Sequence, residues 1–242
     1  MIFFHILAKV YQTPTVMQKI SVEEVVESSS LFESLTQEEK DLLSQKSTIL
    51  QYKRGEAVCK QGAFANHIML LTEGLVKTYL EGSNDKNLII SFITPTKWVE
   101  LASIYDENFS LSVAAIKDSK IMFIEKKAFL ELLSNNPAFS NEIVKILSSS
   151  KKHCFKKIVS LGNKQLHGRF ADALLYLSHE VAQSNVIDLA ITRKEIGEYA
   201  GISTESAIRL LSELNHDGII ELDGKIIIIL KENLLTKLSQ IG

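Results

Sequence analysis

The exposed face of one predicted helix near the C-terminus carries side chains that could read the edges of DNA base pairs. These side chains are Thr204, Glu205, Ser206 and Arg209. Arginine can form a bidentate contact with guanine, glutamate can accept a hydrogen bond from the cytosine amino group, and serine or threonine suits bases or phosphates. The alternative interpretation is a solvated helix face, on which the i, i+4 spacing of Glu205 and Arg209 predicts an ordinary ion pair.

A pair of short helices positions this face. Thr192 and Glu195 have the spacing of a capping box, which predicts that a helix begins after Thr192. Gly201 supplies a tight turn, and Ser203 can cap a second helix. The residues where the two helices must touch are apolar or small: Ile196, Gly197, Ala200, Ile202, Ala207 and Leu210. The pattern predicts a helix-turn-helix unit, and it adds Thr192, Arg193 and Ser203 to the candidate DNA contacts.

A predicted hairpin follows the two helices. The apolar runs 219–222 and 226–230 flank Asp223-Gly224. This dipeptide favours a two-residue hairpin turn, because such a turn needs positive φ at both central residues. A helix-turn-helix followed by a hairpin is typical of a winged helix. The alternative is purely structural, since any small three-helix domain needs capped amphipathic helices and motif matches of this kind include false positives.

The middle of the chain has the pattern of an antiparallel β protein. Two short helices are predicted before it, at 23–31 and 36–43, and Thr36 and Glu39 give the second a capping box. Short apolar runs separated by turn residues then follow: Thr48–Tyr52, Ala57–Lys60, His67–Leu71, Leu75–Leu80, Leu88–Ile93, Ser112–Ile116 and Ile121–Glu125. Seven or eight strands at this spacing predict a sandwich or barrel.

One long helix is predicted between the β region and the C-terminal helices. After a shorter helix at 126–134, apolar residues keep a helical stripe from Ala138 to about Leu161, interrupted by three serines at 148–150. These small residues could let a partner helix approach closely, or they could simply be solvated. The length of the helix and its place at a domain junction favour a dimer contact. Another amphipathic helix is predicted from Gln165 to Ala182.

Length and composition exclude several classes of protein. A chain of 242 residues favours two domains, and 45% hydrophobic with 23% charged residues indicates a globular rather than a disordered or fibrous protein. Two cysteines, Cys59 and Cys154, are too few for a disulfide framework or a four-cysteine metal site. A net charge of −2 argues against a uniformly basic surface. No apolar run approaches the ~18 residues of a membrane-spanning helix, so we expect no membrane partner. We also expect no cofactor.

The segment from Ile191 to Arg209, with the leucine-rich turn and hairpin that follow it, closely resembles the C-terminal domain of the CRP/FNR transcription regulators. Four segments resemble the cyclic-nucleotide-binding β-roll of the same family: Arg54-Gly55-Glu56, Gln61-Gly62, 68–76 and 98–124. The resemblance covers about residues 23–240. It implies an α+β fold with an N-terminal antiparallel β-roll or jelly roll, a long dimerisation helix and a C-terminal winged helix-turn-helix.

The resemblance also implies four parts of the chain and a function. Residues 1–22 would be an extension, of which 1–16 are either a flexible arm or an upstream over-prediction of the coding region. The effector domain would span 23–136, the dimerisation helix 137–163 and the DNA-binding domain 164–242. The protein would be a bacterial, cytoplasmic homodimer that binds pseudo-palindromic double-stranded DNA under control of an unidentified small-molecule effector, with RNA polymerase as a further partner.

The recognition helix departs from the family pattern. The family has Ser-Arg-Glu-Thr before a further arginine, and this chain has Ser203-Thr204-Glu205-Ser206 with Arg209 at the later position. The resemblance implies that Glu205 and Arg209 read bases. Because Thr204 replaces an arginine, we expect a half-site that differs from the family's best-known one.

The sensor departs further. Cyclic-AMP-binding members have a Gly-Glu-Leu element that holds the ribose, and about ten residues later an Arg-Ser pair that neutralises the phosphate. Here Val99-Glu100-Leu101 lacks the glycine, Asn108-Phe109-Ser110 lacks the arginine, and no basic residue occurs in 104–116. Burying a phosphate without a cation is costly, so we expect no cyclic AMP binding in the usual mode. The candidate pocket residues are Glu100, Leu101, Phe109 and Ser110, and Glu100 is best interpreted as an ordinary strand-end carboxylate.

Two alternatives stay open, and two others are not expected. The protein could be effector-independent, with a pocket that is empty or filled by its own side chains such as Phe109. It could sense haem or redox state, for which the candidate ligands are His67, Cys59, His153 and Cys154. The iron–sulfur branch is excluded because residues 1–50 contain no cysteine. An enzyme of the cupin type would need clustered metal ligands, and only His67 lies in the roll, so we expect no enzymatic activity.

Overall fold

The computed structural model describes residues 21–83, 86–188 and 190–241. Residues 1–20, which make up most of the predicted extension, lie outside the described residues. The fold is α+β, as predicted, with two antiparallel sheets, a long helix and a helical domain with a small third sheet. The first helix, α1 (Val22–Ser28), begins one residue before the predicted start, because Ser21 and Glu24 form a capping box.

Eight strands form the N-terminal roll. Their bounds are β1 Ser47–Tyr52, β2 Ala57–Cys59, β3 His67–Glu73, β4 Val76–Leu80, β5 Leu88–Ile93, β6 Lys97–Val99, β7 Ser112–Ala115 and β8 Ser119–Glu125. One sheet has the order β1-β8-β3-β6 and the other β2-β7-β4-β5, with antiparallel pairs. All seven predicted apolar runs are strands. The sequence did not predict β6, since three residues are too few to show an alternating pattern.

Side chains from both sheets meet inside the roll. Met69 and Leu71 of β3 contact the same cluster as Val76 of β4 and Val113 of β7. Phe109 joins this cluster from the loop before β7. An aromatic side chain therefore fills part of the roll interior beside the predicted effector pocket.

Helices cover one sheet of the roll. α2 (Gln37–Gln45) has the predicted Thr36 capping box, a short 3-10 turn spans Ser30–Phe32, and α3 (Lys126–Asn135) follows β8. Aromatic rings join these helices to β6, because Trp98 lies 5.9 Å from Phe32 and 5.2 Å from Phe129 between ring centroids. This aromatic contact extends to Phe139, whose ring centroid lies 5.5 Å from that of Phe129.

The long helix α4 (Pro137–Asn163) contains 27 residues and closely matches the predicted stripe. The Asn136 side chain caps it by accepting a hydrogen bond from the Phe139 N–H at 2.9 Å. Phe139 and Ile143 are buried against the roll. The helix also leaves large apolar side chains 53–64% exposed, namely Val144, Phe155, Ile158 and Val159.

The C-terminal domain is built on the predicted helix-turn-helix. Its elements are α5 Leu166–Tyr176, which continues as a π-helical turn Leu177–Ala182, then β9 Val186–Ile187, α6 Arg193–Ala200, α7 Thr204–His216, β10 Ile220–Asp223, β11 Ile226–Ile229 and α8 Glu232–Ile241. The sequence predicted neither β9 nor α8. Two residues of β9 form a strand only because they pair with β11, and α8 packs on α5.

The hairpin turn lies one residue later than predicted. Asp223 pairs with Ile226, so Gly224 and Lys225 are the central residues. Gly224 has φ 57, whereas Lys225 does not have positive φ. The prediction that both central residues need positive φ was therefore wrong, and a glycine at the first central position matches the requirement of a type II′ turn.

Candidate nucleic-acid interface and sensor pocket

A tight contact between α6 and α7 positions the candidate recognition helix. A Cβ atom at Gly197 would lie 3.1 Å from the Ile202 carbonyl oxygen, so the turn can approach the helix this closely only because position 197 is glycine. Gly201 ends α6 with φ 65, in the left-handed region. The Ser203 hydroxyl then accepts a hydrogen bond from the Ser206 N–H at 3.2 Å and begins α7.

The outward face of α7 places Glu205 and Arg209 in solvent, with Thr204 and Ser206 half-buried. The predicted Glu205–Arg209 ion pair does not form. Arg209 instead contacts Glu213, with 3.3 Å between Nη1 and Oε1. Hydrogen bonds from the Glu205 backbone N–H and from Ser203 lower the pKa of Glu205, so this carboxylate is held at the helix N-terminus, away from Arg209.

Thr192 and Arg193 both make structural contacts. The Thr192 hydroxyl accepts a hydrogen bond from the Glu195 N–H at 3.2 Å, and Glu195 Oε2 accepts from the Thr192 N–H at 2.8 Å, which is the predicted capping box. The Arg193 guanidinium donates to the Gly224 carbonyl oxygen at 3.0 Å. Arg193 therefore joins the start of α6 to the tip of the wing, a contact between residues too far apart in sequence to predict.

The sequence prediction missed Ile208. Its side chain is 50% exposed on α7, directly before Arg209 and about one turn after Glu205. A large apolar residue on the polar face of a predicted amphipathic helix was the available signal. In a major groove such a side chain can contact the methyl group of thymine.

In the sensor, a serine that the sequence did not single out connects two of the predicted pocket residues. The Ser103 hydroxyl donates to Glu100 Oε1 at 3.0 Å and accepts from the Ser110 N–H at 2.9 Å. The Ser103 and Ser110 hydroxyl oxygens are 3.1 Å apart. Ser103, Ser110 and one carboxylate oxygen of Glu100 are therefore bonded to one another.

Glu100 is not an ordinary strand-end carboxylate. It follows β6 with φ 55, a backbone conformation that residues other than glycine rarely adopt. Its Oε2 atom is buried and has no hydrogen-bond partner among the described residues. Burial raises the pKa of Glu100 to about 7. The backbone conformation turns this carboxyl group inward, which the sequence pattern could not show.

The remaining candidate pocket residues are apolar and buried. Leu101 packs with Trp98 in the cluster under the helices, and Phe109 lies in the roll interior. A cation does lie near this loop, because Lys126 at the start of α3 donates to the Ser103 carbonyl oxygen at 2.9 Å and to the Asp106 carbonyl oxygen. These two carbonyl groups accept two of the three N–H donors of Lys126, so the loop backbone holds this cation.

The candidate haem or redox residues do not form a common site. Burial raises the pKa of the Cys59 thiol to about 12, so this thiol has little thiolate character. The His153 imidazole contacts the Ile90 carbonyl oxygen at 3.1 Å and lies against Tyr176. Within the described residues, no group of three or more His, Cys, Asp or Glu side chains could hold a metal ion. Among the described helices, none has both the length and the apolar content needed to cross a bilayer.

Two protein-family models match the chain, and both agree with this architecture. A cyclic nucleotide-binding domain matches residues 49–136, which contain the roll. A Crp-like helix-turn-helix domain matches residues 168–238. The two matches lie on either side of α4, in the order that the fold shows.

Characterised proteins and solved structures are similar over most of the chain. The transcriptional activator protein FnrA of Stutzerimonas stutzeri is 24% identical over 177 residues, 72% of each chain. The cAMP-activated global transcriptional regulator CRP of Salmonella typhimurium is 24% identical over 186 residues, 75% of this chain and 89% of that one. The structure of FixK2 from Bradyrhizobium japonicum superposes with a TM-score of 0.75 at 21% identity, covering 81% of this chain and 98% of that one.

Proposed function

The chain belongs to the CRP/FNR family of DNA-binding transcription regulators, and from this premise we propose that it binds a pseudo-palindromic DNA site as a homodimer. The exposed face of α7 is the observation that carries the proposal. Glu205, Ile208 and Arg209 point to solvent from a helix that the Gly197 contact and the Ser203 cap hold in place. Two copies of this helix would enter major grooves about 34 Å apart.

The exposed apolar face of α4 supports the homodimer. Val144, Phe155, Ile158 and Val159 are each more than half exposed in the single chain. Such side chains on one long helix are typical of a contact with a second helix. In a symmetric pair the same face of both copies is buried.

The Ser103 network favours a second version of this function, in which the roll needs no effector. Ser103 already bonds Glu100 and Ser110, and Phe109 fills the space beside them. A cyclic nucleotide would have to displace these bonds without gaining a nearby free cation for its phosphate. We therefore expect no saturable heat when cyclic AMP is titrated into the protein, and saturable micromolar binding would overturn this part of the proposal.

DNA reading is tested on a site selected from a random duplex library. Arg209→Ala should lose ~1–3 kcal/mol of binding free energy at the selected site if Arg209 reads guanine, and discrimination should relax at one base pair of each half-site. Lys127→Ala, which removes one exposed cation from α3 in the sensor domain, is the control and should bind as the wild type does. Equal binding of wild type and Arg209→Ala to matched and mismatched sites would refute the assignment.

The bacterial relatives support the further proposal that the protein acts in a bacterial cytoplasm and meets RNA polymerase at promoters. For the effector, DNA affinity is measured across a panel of metabolites. A change in affinity with one metabolite would identify an effector, and unchanged affinity throughout would favour the effector-independent version.

A further inference from the structure

A cleft lies outside the roll, where α4, α5 and the end of α6 meet. Its volume is about 580 Å³, which is in the range of small-molecule sites. Two buried or half-buried tyrosines, Tyr176 and Tyr199, form part of its wall. Lys156, Lys157 and Arg169 also line it. The cleft is separate from the recognition face of α7 and from the Ser103 network of the sensor. Phe155 and Val159 of the exposed apolar face of α4 also line it, so in the proposed homodimer the partner helix would border the cleft.

Lys157 brings a buried positive charge to this cleft. Its side chain is only 8% exposed, and its ammonium group donates to the Tyr199 carbonyl oxygen at 2.5 Å and lies 3.3 Å from the centre of the Tyr199 ring. Among the described residues no carboxylate lies in direct contact with it, and the charge of Asp172 acts on it only through space. Burial lowers the pKa of Lys157 to about 7, and the charge of Asp172 offsets this only in part, so the amine is partly charged near neutral pH and a bound anion would favour its charged form.

Arg169 faces the same part of the cleft with unsatisfied donors. Its Nη1 atom reaches the Gly201 carbonyl oxygen at 3.4 Å, two residues after the carbonyl group that Lys157 contacts. Its Nε atom is buried and has no hydrogen-bond partner among the described residues. A guanidinium group has five N–H donors, so the single long contact leaves most of its capacity unused.

The acidic residues of the cleft do not neutralise these two cations. Asp172 accepts hydrogen bonds from Ser160 at 2.5 Å and from Lys164 at 2.8 Å, and it also contacts Ser239. Glu180 is exposed at the edge of the cleft. Each of the two side chains donates to one carbonyl group at the end of α6, and Lys157 also lies over the Tyr199 ring. Neither has a carboxylate in direct contact among the described residues.

We propose that this cleft binds a small organic anion, with a carboxylate or phosphate group between Lys157 and Arg169 and an apolar body beside the stacked pair Tyr176 and Tyr199. An anion would supply the missing counter-charge and the missing acceptors together. Because Lys157 and Arg169 reach α6 from α4 and α5, an occupied cleft would favour one orientation of the DNA-binding helices. This regulatory consequence rests on the proposed function, whereas anion binding itself does not.

The test uses the full-length protein with benzoate and phenyl phosphate as anionic probes and benzamide as the uncharged control. At least one anion should bind saturably with a Kd of about 1 mM or tighter, and benzamide should not. Lys157→Met and Arg169→Gln should each weaken that binding at least tenfold, while Lys127→Met should leave it unchanged. Arg169 is only half-buried, so its variant keeps the test valid if Lys157→Met fails to fold.

Absence of saturable binding by both anions, or equal binding to wild type and the Arg169→Gln variant, would overturn the site. The regulatory consequence is measured as DNA affinity with and without the bound probe. We expect a change in the wild type and none in Arg169→Gln, and an unchanged wild type would refute regulation through the cleft. If the anion binds and no DNA sequence is preferred, the proposed function fails and the anion site stands.

Discussion

The rings of Tyr176 and Tyr199 are stacked, with centroids 4.5 Å apart and an angle of 7° between their planes. The Tyr176 hydroxyl accepts a hydrogen bond from the Phe92 N–H of β5 at 3.1 Å, and the Phe92 ring lies 5.8 Å from that of Tyr199. One aromatic contact therefore joins the roll to α5 and α6. It holds the first helix of the helix-turn-helix against the sensor domain.

An ion-pair cluster beside these rings should hold the two domains together. Lys77 of β4 lies 3.0 Å from Glu195 and 3.6 Å from Glu198, and all three side chains are less than 17% exposed. Lys77→Met would leave the poorly solvated Glu195 without its cation and Glu198 with only Lys194 at 3.7 Å, so we expect a loss of about 3 kcal/mol in the free energy of unfolding. Urea denaturation measures it, with Lys127→Met as the control for removing an exposed lysine. An unchanged midpoint would show that the cluster contributes nothing to stability.

The dimer contact can be broken on α4. Ile158→Glu places a carboxylate on the exposed apolar face, where a second helix would bury it, so we expect at least a 100-fold weaker dimer. Sedimentation equilibrium measures the association constant. Ser149→Glu adds the same charge on the opposite side of the helix and should leave the dimer intact. Equal association of both variants would place the dimer contact elsewhere.

Local signals made the helix-turn-helix predictable from the sequence. The capping box of Thr192, the turn at Gly201 and the cap at Ser203 each depend on residues within a few positions of one another. The Thr192 and Ser203 side chains bond free N–H groups at the start of each helix. These bonds do not depend on distant residues, so the local sequence is enough to predict them.

Contacts between distant segments were beyond the sequence pattern. Lys157 reaches Tyr199 across 42 positions, and Arg193 reaches Gly224 across 31. The Ser103 network depends on the left-handed backbone conformation of Glu100. Glutamate rarely adopts this conformation, and no neighbouring residue type predicts it. Arg209 lies four residues from both Glu205 and Glu213, so spacing alone does not select its partner. The rotamer of Arg209 places its guanidinium group against Glu213.

The buried carboxyl group of Glu100 should make stability depend on pH. Its pKa is raised from 4.5 to about 7 in the folded protein, so between these values the folded state binds more protons than the unfolded state. Stability from this group is therefore present below about pH 4.5 and is lost as the pH rises to about 7. Glu100→Gln removes this loss. Between pH 4.5 and 7 the free energy of unfolding of the variant should therefore rise relative to that of the wild type by on the order of 1–3 kcal/mol. The lower part of this range allows for the half-buried position of Glu100.

Urea unfolding of both proteins at several pH values between 4.5 and 8 measures the difference. Glu107→Gln, an exposed carboxyl group on the same loop, is the matched control and should follow the wild type. A difference between wild type and Glu100→Gln that does not change with pH would show that Glu100 is ionised throughout.

Ile208 should read a thymine methyl group beside the base pair that Arg209 reads. The side chain is 50% exposed on α7, and an apolar contact with this methyl group is worth about 1 kcal/mol, or roughly fivefold in affinity. Each thymine of the selected site is replaced in turn by deoxyuridine, which lacks only the methyl group. One position in each half-site should then bind the wild type about fivefold more weakly.

The variants separate this contact from the other contacts of the helix. Ile208→Ser should bind the thymine and deoxyuridine sites equally, because it has no apolar surface to contact the methyl group. Arg209→Ala should bind both more weakly and keep the fivefold difference between them, since its own contact is with another base. If Ile208→Ser shows the same deoxyuridine penalty as the wild type, the methyl group is read by a different residue, and the exposure of Ile208 has another cause.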